Sequence, residues 1–351
     1  MTGLSSRLGF SRYSGLYVLA LFIVVYTLWL PETFPTLTTA QNVASNQAIT
    51  GVAALGLVCA LSVGAFDLSI ANVLGLSSTV AAALMVNEGM SPRATIALVL
   101  AMGLGVGLVN GLLVVRFGIP SVVATLGMSS ILTAFDRNIT DGQFITPIPV
   151  EFSDLMRGKP AGVPTSFIVL VVVALASWYI LEHTAQGRRM TATGAGVDAA
   201  RLAGPNTNQA VVVGLVISST LGSLAGLMLA STVGSAAPNS GPAYLLPLFA
   251  AVYLGSTMIK PGRFNIWGTI VALFVLATGV KGLQLAGGQL WVADLFNGAA
   301  LIIAVGVAVH AQSKRRSKAR RLRFRRREAP VSAVLEEPAR SEPVPTDAAR
   351  R

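Results

Sequence analysis

Residues 48–86 read AITGVAALGLVCALSVGAFDLSIANVLGLSSTVAAALMV, and Asp67 is the one charged residue in these 39 positions. As a single helix the stretch would be about 58 Å long at roughly 1.5 Å per residue. That length is close to twice the hydrocarbon thickness of a bilayer, which is about 30 Å. The chain must therefore turn back near Asp67, and the stretch predicts two membrane-spanning helices joined by a tight turn.

The same apolar composition extends through most of the chain. Of 351 residues, 53% are hydrophobic and 12% are charged, with a net charge of +11 at pH 7, which few water-soluble domains could keep in solution. About ten apolar runs are long enough to cross a bilayer: residues 16–30, 48–66, 70–86, 94–115, 119–135, 165–181, 209–233, 243–259, 264–280 and 292–309. The short alternating segments of a barrel are absent, so lipid-facing backbone must be helical. The sequence predicts an all-α, polytopic helical bundle with about ten transmembrane helices.

Lysine and arginine predict the orientation of this bundle, because cytoplasmic loops hold an excess of both. With the N-terminus inside, most basic loop residues become cytoplasmic: Arg7, Arg12, Arg116, Arg188, Arg189, Arg201, Lys260 and Arg263. The basic residues of the outer loops are partly balanced by acids such as Asp141, Glu151 and Asp154. Both termini are therefore expected inside, with residues 1–15 as a cytoplasmic N-terminus and 16–310 as the transmembrane domain.

Two connections within this domain are long enough to carry structure of their own. The outer one covers residues 136–164 and the cytoplasmic one residues 182–208. In the cytoplasmic connection, residues 197–203 predict a short amphipathic helix that Gly204 and Pro205 stop. Such a helix offers a contact for a soluble partner.

The composition changes abruptly at the C-terminal end. Residues 311–351 form a basic block followed by a mixture of Pro, Glu and Ala with few large apolar residues. This pattern predicts a disordered cytoplasmic tail, whose basic block anchors the topology and attracts the headgroups of membrane lipids. Nucleic-acid binding would need more than charge and is not expected.

Residues typical of catalysis or metal binding are scarce. Cys59 lies in the middle of a span, and His183 and His310 lie at helix ends far apart in sequence, so neither a metal site nor a cofactor is expected. Clustered nucleophiles and paired acids within the spans, which an intramembrane enzyme would need, are not visible. The sequence also lacks the phosphate-binding loop of nucleotide hydrolases. Energy for any transport must come from another protein or from an ion gradient.

Ionisable groups are costly within a membrane and are usually functional. Asp67, with Asp136 and Asp294 at span edges, is almost the whole supply of such acids, which weighs against an ion-coupled transporter. Two interpretations of Asp67 stay open. With Ser69 it suits the start of a helix, where a side-chain oxygen accepts from free backbone N–H groups. Alternatively, it contacts a cytoplasmic partner or acts as a gate.

Small and polar residues within the spans indicate two further features. Gly103, Gly107 and Gly111, and likewise Gly222 and Gly226, repeat at a four-residue spacing that lets helices pack closely. Uncharged polar side chains suit a wet path for an uncharged cargo such as a sugar, but they suit helix-to-helix hydrogen bonds equally well. The candidates for such a path are Asn72, Ser77, Asn110, Thr125, Ser129 and Ser218.

Several motifs in order resemble those of one protein family. Gly64-Ala65-Phe66-Asp67-Leu68-Ser69 is similar to the Gly-Gly-Ile-Asp-Leu-Ser signature of the ribose-type permeases of bacterial ABC sugar importers. Further matching segments follow in the family's order: Asn110–Val114, Gly118–Ser121, Ala124–Gly127, Gly187–Gly204, Pro247, Leu254–Ser256 and Gly268-Thr269. The resemblance covers roughly residues 48–308.

This sequence departs from the family pattern at several positions. Ala65 and Phe66 replace Gly and Ile, Ala71-Asn72 stands where Gly is common, and Pro205 replaces an apolar residue. Lys260–Arg263, with the sequence KPGR, replaces a Gly-rich turn. These departures bear on the identity of the sugar more than on the family.

The resemblance implies an inner-membrane subunit that pairs with a second permease copy, two cytoplasmic ATPase domains and a periplasmic sugar-binding protein. The outer connection 136–164 is then periplasmic. Asp67, Leu68 and Ser69 form the signature turn, and residues 187–204 form a coupling segment that docks to the ATPase. The candidate coupling residues are Gly187, Arg188, Arg189, Gly194, Ala200, Arg201 and Gly204.

The function expected from this resemblance is import of a monosaccharide, such as a pentose, hexose or deoxy-sugar, or of a related polyol. A separate ATPase subunit would hydrolyse the ATP. The alternatives are a branched-chain amino acid permease of the same broad superfamily and an ion-coupled secondary transporter. Uptake that survives loss of the ATPase and collapses with the ion gradient would indicate the second alternative.

Overall fold

The computed structural model describes residues 10–202, 204, 206–289 and 291–306. The described chain is helical, in agreement with the all-α prediction. Its α-helices are α1 (Phe10–Trp29), α2 (Leu37–Ser62), α3 (Ile70–Val86), α4 (Pro92–Val115), α5 (Ser121–Thr140), α6 (Val150–Arg157), α7 (Thr165–His183), α8 (Ala185–Ala195), α9 (Val197–Leu202), α10 (Thr207–Val233), α11 (Pro242–Ser256), α12 (Ile266–Leu285) and α13 (Trp291–Gly306). The predicted tail, residues 311–351, and positions 1–9 of the predicted N-terminal segment lie outside the described residues.

Length and apolar composition separate the helices that can cross a membrane. Within the described residues, α2, α4, α7, α10 and α12 are each long and apolar enough to do so. The stretch Tyr13–Trp29 of α1 and the helices α3, α11 and α13 are apolar but shorter. The 20-residue helix α5 is more polar, since its last turns contain Asp136 and Arg137. The chain is thus built as a bundle of many apolar helices.

The turn predicted from the length of residues 48–86 is present. Helix α2 ends at Ser62 and α3 begins at Ile70, and Gly64 between them has a positive φ of 81°. Helix α2 starts well before the predicted apolar run, at Leu37, because the Thr36 hydroxyl caps it by accepting from Thr39 N at 3.1 Å. The polar first turns of α2 conceal this extension from a hydropathy pattern.

Helix α10 lies at the centre of the bundle and packs against α2, α3 and α4. The glycine spacing predicts this close packing. A Cβ added to Gly107 of α4 would lie 2.6 Å from Val216 Cα, and one added to Gly226 would lie 2.3 Å from the Leu74 carbonyl oxygen of α3. No side chain fits at such distances, so the prediction that these glycines bring helix backbones together is confirmed.

The connection predicted at residues 136–164 carries structure of its own, helix α6, and it begins after α5 ends at Thr140. Helix α5 continues to Thr140, and Asp136 is buried in the helix, where its carboxylate accepts from Thr79 Oγ1 and from Asn239 N, both at 2.6 Å. The Arg157 guanidinium, at the end of α6, donates to Thr232 O at 3.0 Å and to Val233 O at 2.7 Å. These bonds satisfy the last carbonyls of α10 and fix α6 against it.

Candidate functional site

The signature turn is held by a buried carboxylate. Asp67 Oδ1 accepts from Ser69 N at 3.0 Å and from Ser69 Oγ at 2.6 Å, and both side chains are fully buried. Ser69, not Asp67, is the N-cap residue of α3, and its hydroxyl makes no capping bond to the helix. Asp67 thus accepts from the N-cap backbone N–H, three residues before the first residue of α3, and both interpretations of this acid remain predictions.

The signature turn also joins three helices. The Ser69 hydroxyl accepts from Asn110 Nδ2 of α4 at 2.9 Å, and Leu68 N donates to Thr125 Oγ1 of α5 at 3.1 Å. The Ser218 hydroxyl of α10 lies beside the Asp67 carboxylate. A movement of the turn would therefore change its contacts with α4, α5 and α10 at the same time.

Two acceptors in this cluster are left without a donor in the described part of the chain. They are Asp67 Oδ2 and Asn110 Oδ1, and both residues are fully buried. An unsatisfied buried polar atom costs about 1–3 kcal/mol, and such groups persist mainly where function needs them. Within the same described residues, buried hydroxyls without a partner also occur elsewhere on α3, α4 and α10, at Ser78, Thr95 and Ser219, so the turn shares this feature with the helices around it.

A second polar cluster lies between α3 and α5. Asn72 Nδ2 donates to the Ser129 carbonyl at 3.0 Å, to Thr133 Oγ1 at 3.0 Å and also to the Ser129 hydroxyl. Asn72, Thr133, Asp136 and Asn239 line a small cavity between α3, α5 and the connection from α10 to α11. Thr133 and Asn239 are missed by the sequence analysis, because only the folded chain brings them beside Asn72.

Most of the predicted path residues make contacts between helices. Ser77 Oγ of α3 lies 2.9 Å from Ser223 Oγ of α10, and Thr125 Oγ1 of α5 donates to Phe66 O, just before the signature turn, at 3.2 Å. Ser77, Thr125, Asn110 and Ser218 are all fully buried within the single chain. This geometry is the one expected from the helix-to-helix interpretation, whereas Asn72 and Ser129 remain half-buried.

The connection at residues 182–208 contains a second helix, α8, that composition alone does not predict. Helix α8 begins at Ala185, where Thr184 Oγ1 accepts from Gly187 N at 3.1 Å. A Cβ on Gly187 would lie 2.2 Å from Leu181 O, and one on Gly194 would lie 2.2 Å from Ser62 O and 3.2 Å from Gly64 N. The glycines that suggest chain breaks instead let α8 lie against the ends of α7 and α2, directly beside the turn.

Helix α9 presents the surface most suited to a partner. It covers Val197–Leu202, in agreement with the predicted short helix as far as Leu202, since Ala203 and Pro205 lie outside the described residues. Leu202 is 92% exposed and Val197 is 40% exposed, whereas Ala200 is buried. Leu202 could not be predicted as part of this surface, because the charge and glycine patterns of the sequence do not show that its side chain is exposed.

The basic candidates of the coupling segment face outward. Arg188 and Arg189 are exposed on α8. Arg201 is also exposed, and its Nε donates to Thr207 Oγ1 at 3.2 Å, which ties α9 to the start of α10. Gly204 has a positive φ of 94°, which favours glycine at the end of the segment. The structure thus places the coupling candidates on α8, on α9 and at Gly204, and Gly194 among them lies next to the signature turn.

Comparison with known proteins identifies the family. Residues 39–305 match the family described as the permease component of branched-chain amino acid transport systems. The chain belongs to this permease family. It is 30% identical to the ribose import permease of Escherichia coli K12, over 82% of this chain and 90% of that protein. It is also 30% identical to the ribose import permease of Bacillus subtilis 168, over 86% of this chain and 92% of that protein.

A third relative is the fructose import permease of Rhizobium meliloti, 27% identical over 83% of both chains. No solved structure matches the chain. The resemblance drawn from the signature motifs is therefore confirmed over most of the sequence. The relatives are transport permeases and not enzymes, and with the apolar helices this makes the chain a multi-pass membrane protein.

Proposed function

We propose that this chain is the membrane-spanning subunit of an ATP-driven importer for a monosaccharide or a related polyol. The observation that carries the proposal is similarity along nearly the whole chain to permeases that import ribose, fructose and D-allose. Ribose is a pentose, and fructose and allose are hexoses, so both classes are proposed as cargo; a deoxy-sugar is proposed only by its chemical similarity to them. Those relatives favour a sugar over the branched-chain amino acid in the family's description.

Ten helices are proposed to cross the bacterial inner membrane, namely α1 to α5, α7 and α10 to α13, with both termini cytoplasmic. Charge supports this orientation. Arg188, Arg189 and Arg201 lie on α8 and α9, at the end of the bundle that holds the signature turn. Glu151 and Asp154 lie on α6, in the outer connection. The basic sequence at 314–327 is proposed to attract anionic lipid headgroups on the cytoplasmic side.

The separate ATPase subunit is proposed to dock on α8 and α9. These two helices carry all the predicted coupling residues except Gly204, which follows α9. Exposed Leu202 would enter an apolar site on the ATPase, with the arginines around it. Because Gly194 touches the backbone at Ser62 and Gly64, movement of α8 would pass to the signature turn. Among the residues that the structure describes, Asp67 Oδ2 and Asn110 Oδ1 lack a donor in this state. We propose that α4, α5 and α10 change their hydrogen bonds with the signature turn here when the permease switches between its two access states.

A second copy of the chain is proposed to pack on α5. Val123, Ile131 and Phe135 are exposed at four-residue intervals along one side of this helix, and Gly127, in the same register, has no atom within 4 Å of an added Cβ. A small residue on an open helix face lets another helix approach closely. The sugar would pass between the copies near Asn72 and Ser129, and the buried members of the predicted path would join it only when the helices move.

The periplasmic sugar-binding protein is proposed to dock on the outer connection. Phe144, Val150 and Leu155 are exposed there, and Glu151 and Asp154 add negative charge beside them. Arg157 holds this surface on α10, so it can act as a rigid platform.

Uptake of labelled ribose, fructose and allose by cells tests the proposed function. Cells that express the chain with its ATPase and binding protein should accumulate at least one of these sugars. A hydrolysis-deficient ATPase should abolish uptake, and an ionophore that removes ion gradients while ATP is maintained should leave it in place. Uptake that persists with the inactive ATPase and stops with the ionophore would instead indicate a secondary transporter.

A further inference from the structure

A charged cleft lies between α8 and the turn that joins α11 to α12. Its volume is about 420 Å³, and its lining includes Glu182, Arg188, Thr191, Lys260 and Arg263. Two of these residues, Lys260 and Arg263, belong to KPGR, the sequence at 260–263. The turn between α11 and α12 therefore supplies part of the positive charge of the cleft.

The KPGR turn is held rigidly by Asn265, which is buried. Asn265 Nδ2 donates to Gly255 O and to Met258 O, both at 3.2 Å, and Asn265 Oδ1 accepts from Gly268 N at 2.7 Å. These bonds close the end of α11 onto the start of α12. Lys260 and Arg263 are consequently presented by a fixed backbone, and little ordering is needed when a ligand binds them.

Charge in the cleft is only partly balanced. Lys260 Nζ pairs with Glu182 Oε2 at 2.6 Å, and this is the one ion pair found within the described residues. Arg188 reaches only a backbone carbonyl, that of His183, at 3.4 Å. Arg188 and Arg263 thus have no carboxylate within ion-pair distance in the described part of the chain, and the cleft carries an excess of positive charge.

We propose that this cleft is a second docking site for the ATPase subunit, which places an acidic segment against Arg263 and Arg188. The proposal rests on the proposed function. Helix α8 supplies one wall of the cleft and also carries the coupling residues, so an ATPase seated on α8 and α9 lies next to it. Guanidinium groups bind carboxylates with two parallel hydrogen bonds, which a point charge does not offer.

Glu182 has a specific role in this arrangement. Its side chain is 23% exposed, and its carboxylate forms the ion pair with Lys260. Lys260 lies on the KPGR turn, three residues before the unpaired Arg263. When no partner is bound, Glu182 stands in for the acidic segment and competes with it for the cleft. Removal of this carboxylate should therefore strengthen ATPase binding, whereas removal of Arg263 should weaken it.

The test measures the affinity of the purified ATPase subunit for the full-length permease in lipid-free detergent at low salt. Arg263→Gln should weaken binding about fivefold, and Glu182→Gln should strengthen it by a similar factor, as expected for partly exposed charge pairs. Arg116→Gln is the matched control, because Arg116 is an exposed arginine in the connection from α4 to α5, away from the cleft. It should leave the affinity unchanged.

Opposite shifts for the two cleft variants are a signature that misfolding cannot give, since damage would weaken binding in both. If the affinity is unchanged in both variants, or shifts in the same direction in both, the cleft is not a docking site for the ATPase. The proposed function still stands in that case, provided that the unaltered chain binds the ATPase normally. An unaltered chain that does not bind the ATPase would count against the proposed function itself. An effect of Arg263→Gln that appears only after anionic lipid is added would assign the cleft to a lipid headgroup and overturn the ATPase assignment.

Discussion

Gly194 is the contact through which movement of α8 would reach the signature turn. A Cβ at this position would lie 2.2 Å from Ser62 O and 3.0 Å from Ser62 C. Both atoms belong to the backbone, so rotation of a side chain cannot relieve the clash. To restore an ordinary contact, the end of α8 must move away from α2 by about 1 Å, an overpacking that typically costs about 1–3 kcal/mol.

Helix α8 cannot absorb this movement by sliding as a unit. Its other end is held by Gly187, where an added Cβ would lie 2.2 Å from Leu181 O. Gly194→Ala should therefore tilt α8 away from Ser62 and Gly64 and leave α9 free to bind the ATPase. We expect the variant to hydrolyse ATP while the sugar imported per ATP falls about tenfold, which corresponds to roughly 1.4 kcal/mol.

Gly196→Ala is the matched control for this variant. Gly196 lies just past the end of α8, its φ of 170° is open to any residue, and the nearest atom to an added Cβ is Ala199 Cβ at 3.9 Å. Both variants and the unaltered chain would be reconstituted with the ATPase and the binding protein, and ATP hydrolysis and uptake would be measured on the same vesicles. Equal transport per ATP in all three would refute the role assigned to Gly194.

Three further contacts give simpler tests. Asp67→Asn keeps an acceptor for Ser69 and should unfold in detergent near the normal temperature, whereas Asp67→Ala should lose about 1–3 kcal/mol of stability; equal unfolding temperatures would contradict this. Gly226→Ala places a Cβ 2.3 Å from a carbonyl of α3 and should reduce the amount of protein in the membrane, whereas Gly105→Ala meets nothing within 4 Å and should not. Arg157→Ala removes two bonds to the end of α10 and should lower the free energy of unfolding by about 1 kcal/mol, and an unchanged value would show that those bonds contribute nothing.

Hydropathy and length predict the bundle because each span must satisfy its own backbone in lipid. The turn near Asp67 follows from length alone, and the spacing of Gly103, Gly107 and Gly111 predicts close packing that the structure places against α10. Helix α5 ends later than its apolar run, because Thr79 and the backbone of Asn239 pair the Asp136 carboxylate inside the bundle. Partners so distant in sequence cannot be read from local composition.

The sequence predicts the candidate site only at positions that belong to a family motif. The family signature points to Asp67 and to the proposed coupling segment, but local rules treat Gly187 and Gly194 as helix breakers. Their place in α8 is explained by the carbonyls of α7 and α2, which leave no room for a Cβ. Exposed Leu202 and the charged cleft beside Lys260 depend in the same way on how separate elements pack, so they emerge only from the folded chain.

The most direct test of the account is sugar uptake by vesicles that contain the purified permease. The proposed function predicts uptake of at least one monosaccharide that needs the ATPase, the binding protein and ATP together, and that continues without any ion gradient. Uptake by the permease alone, driven by a proton or sodium gradient and indifferent to ATP, would contradict it.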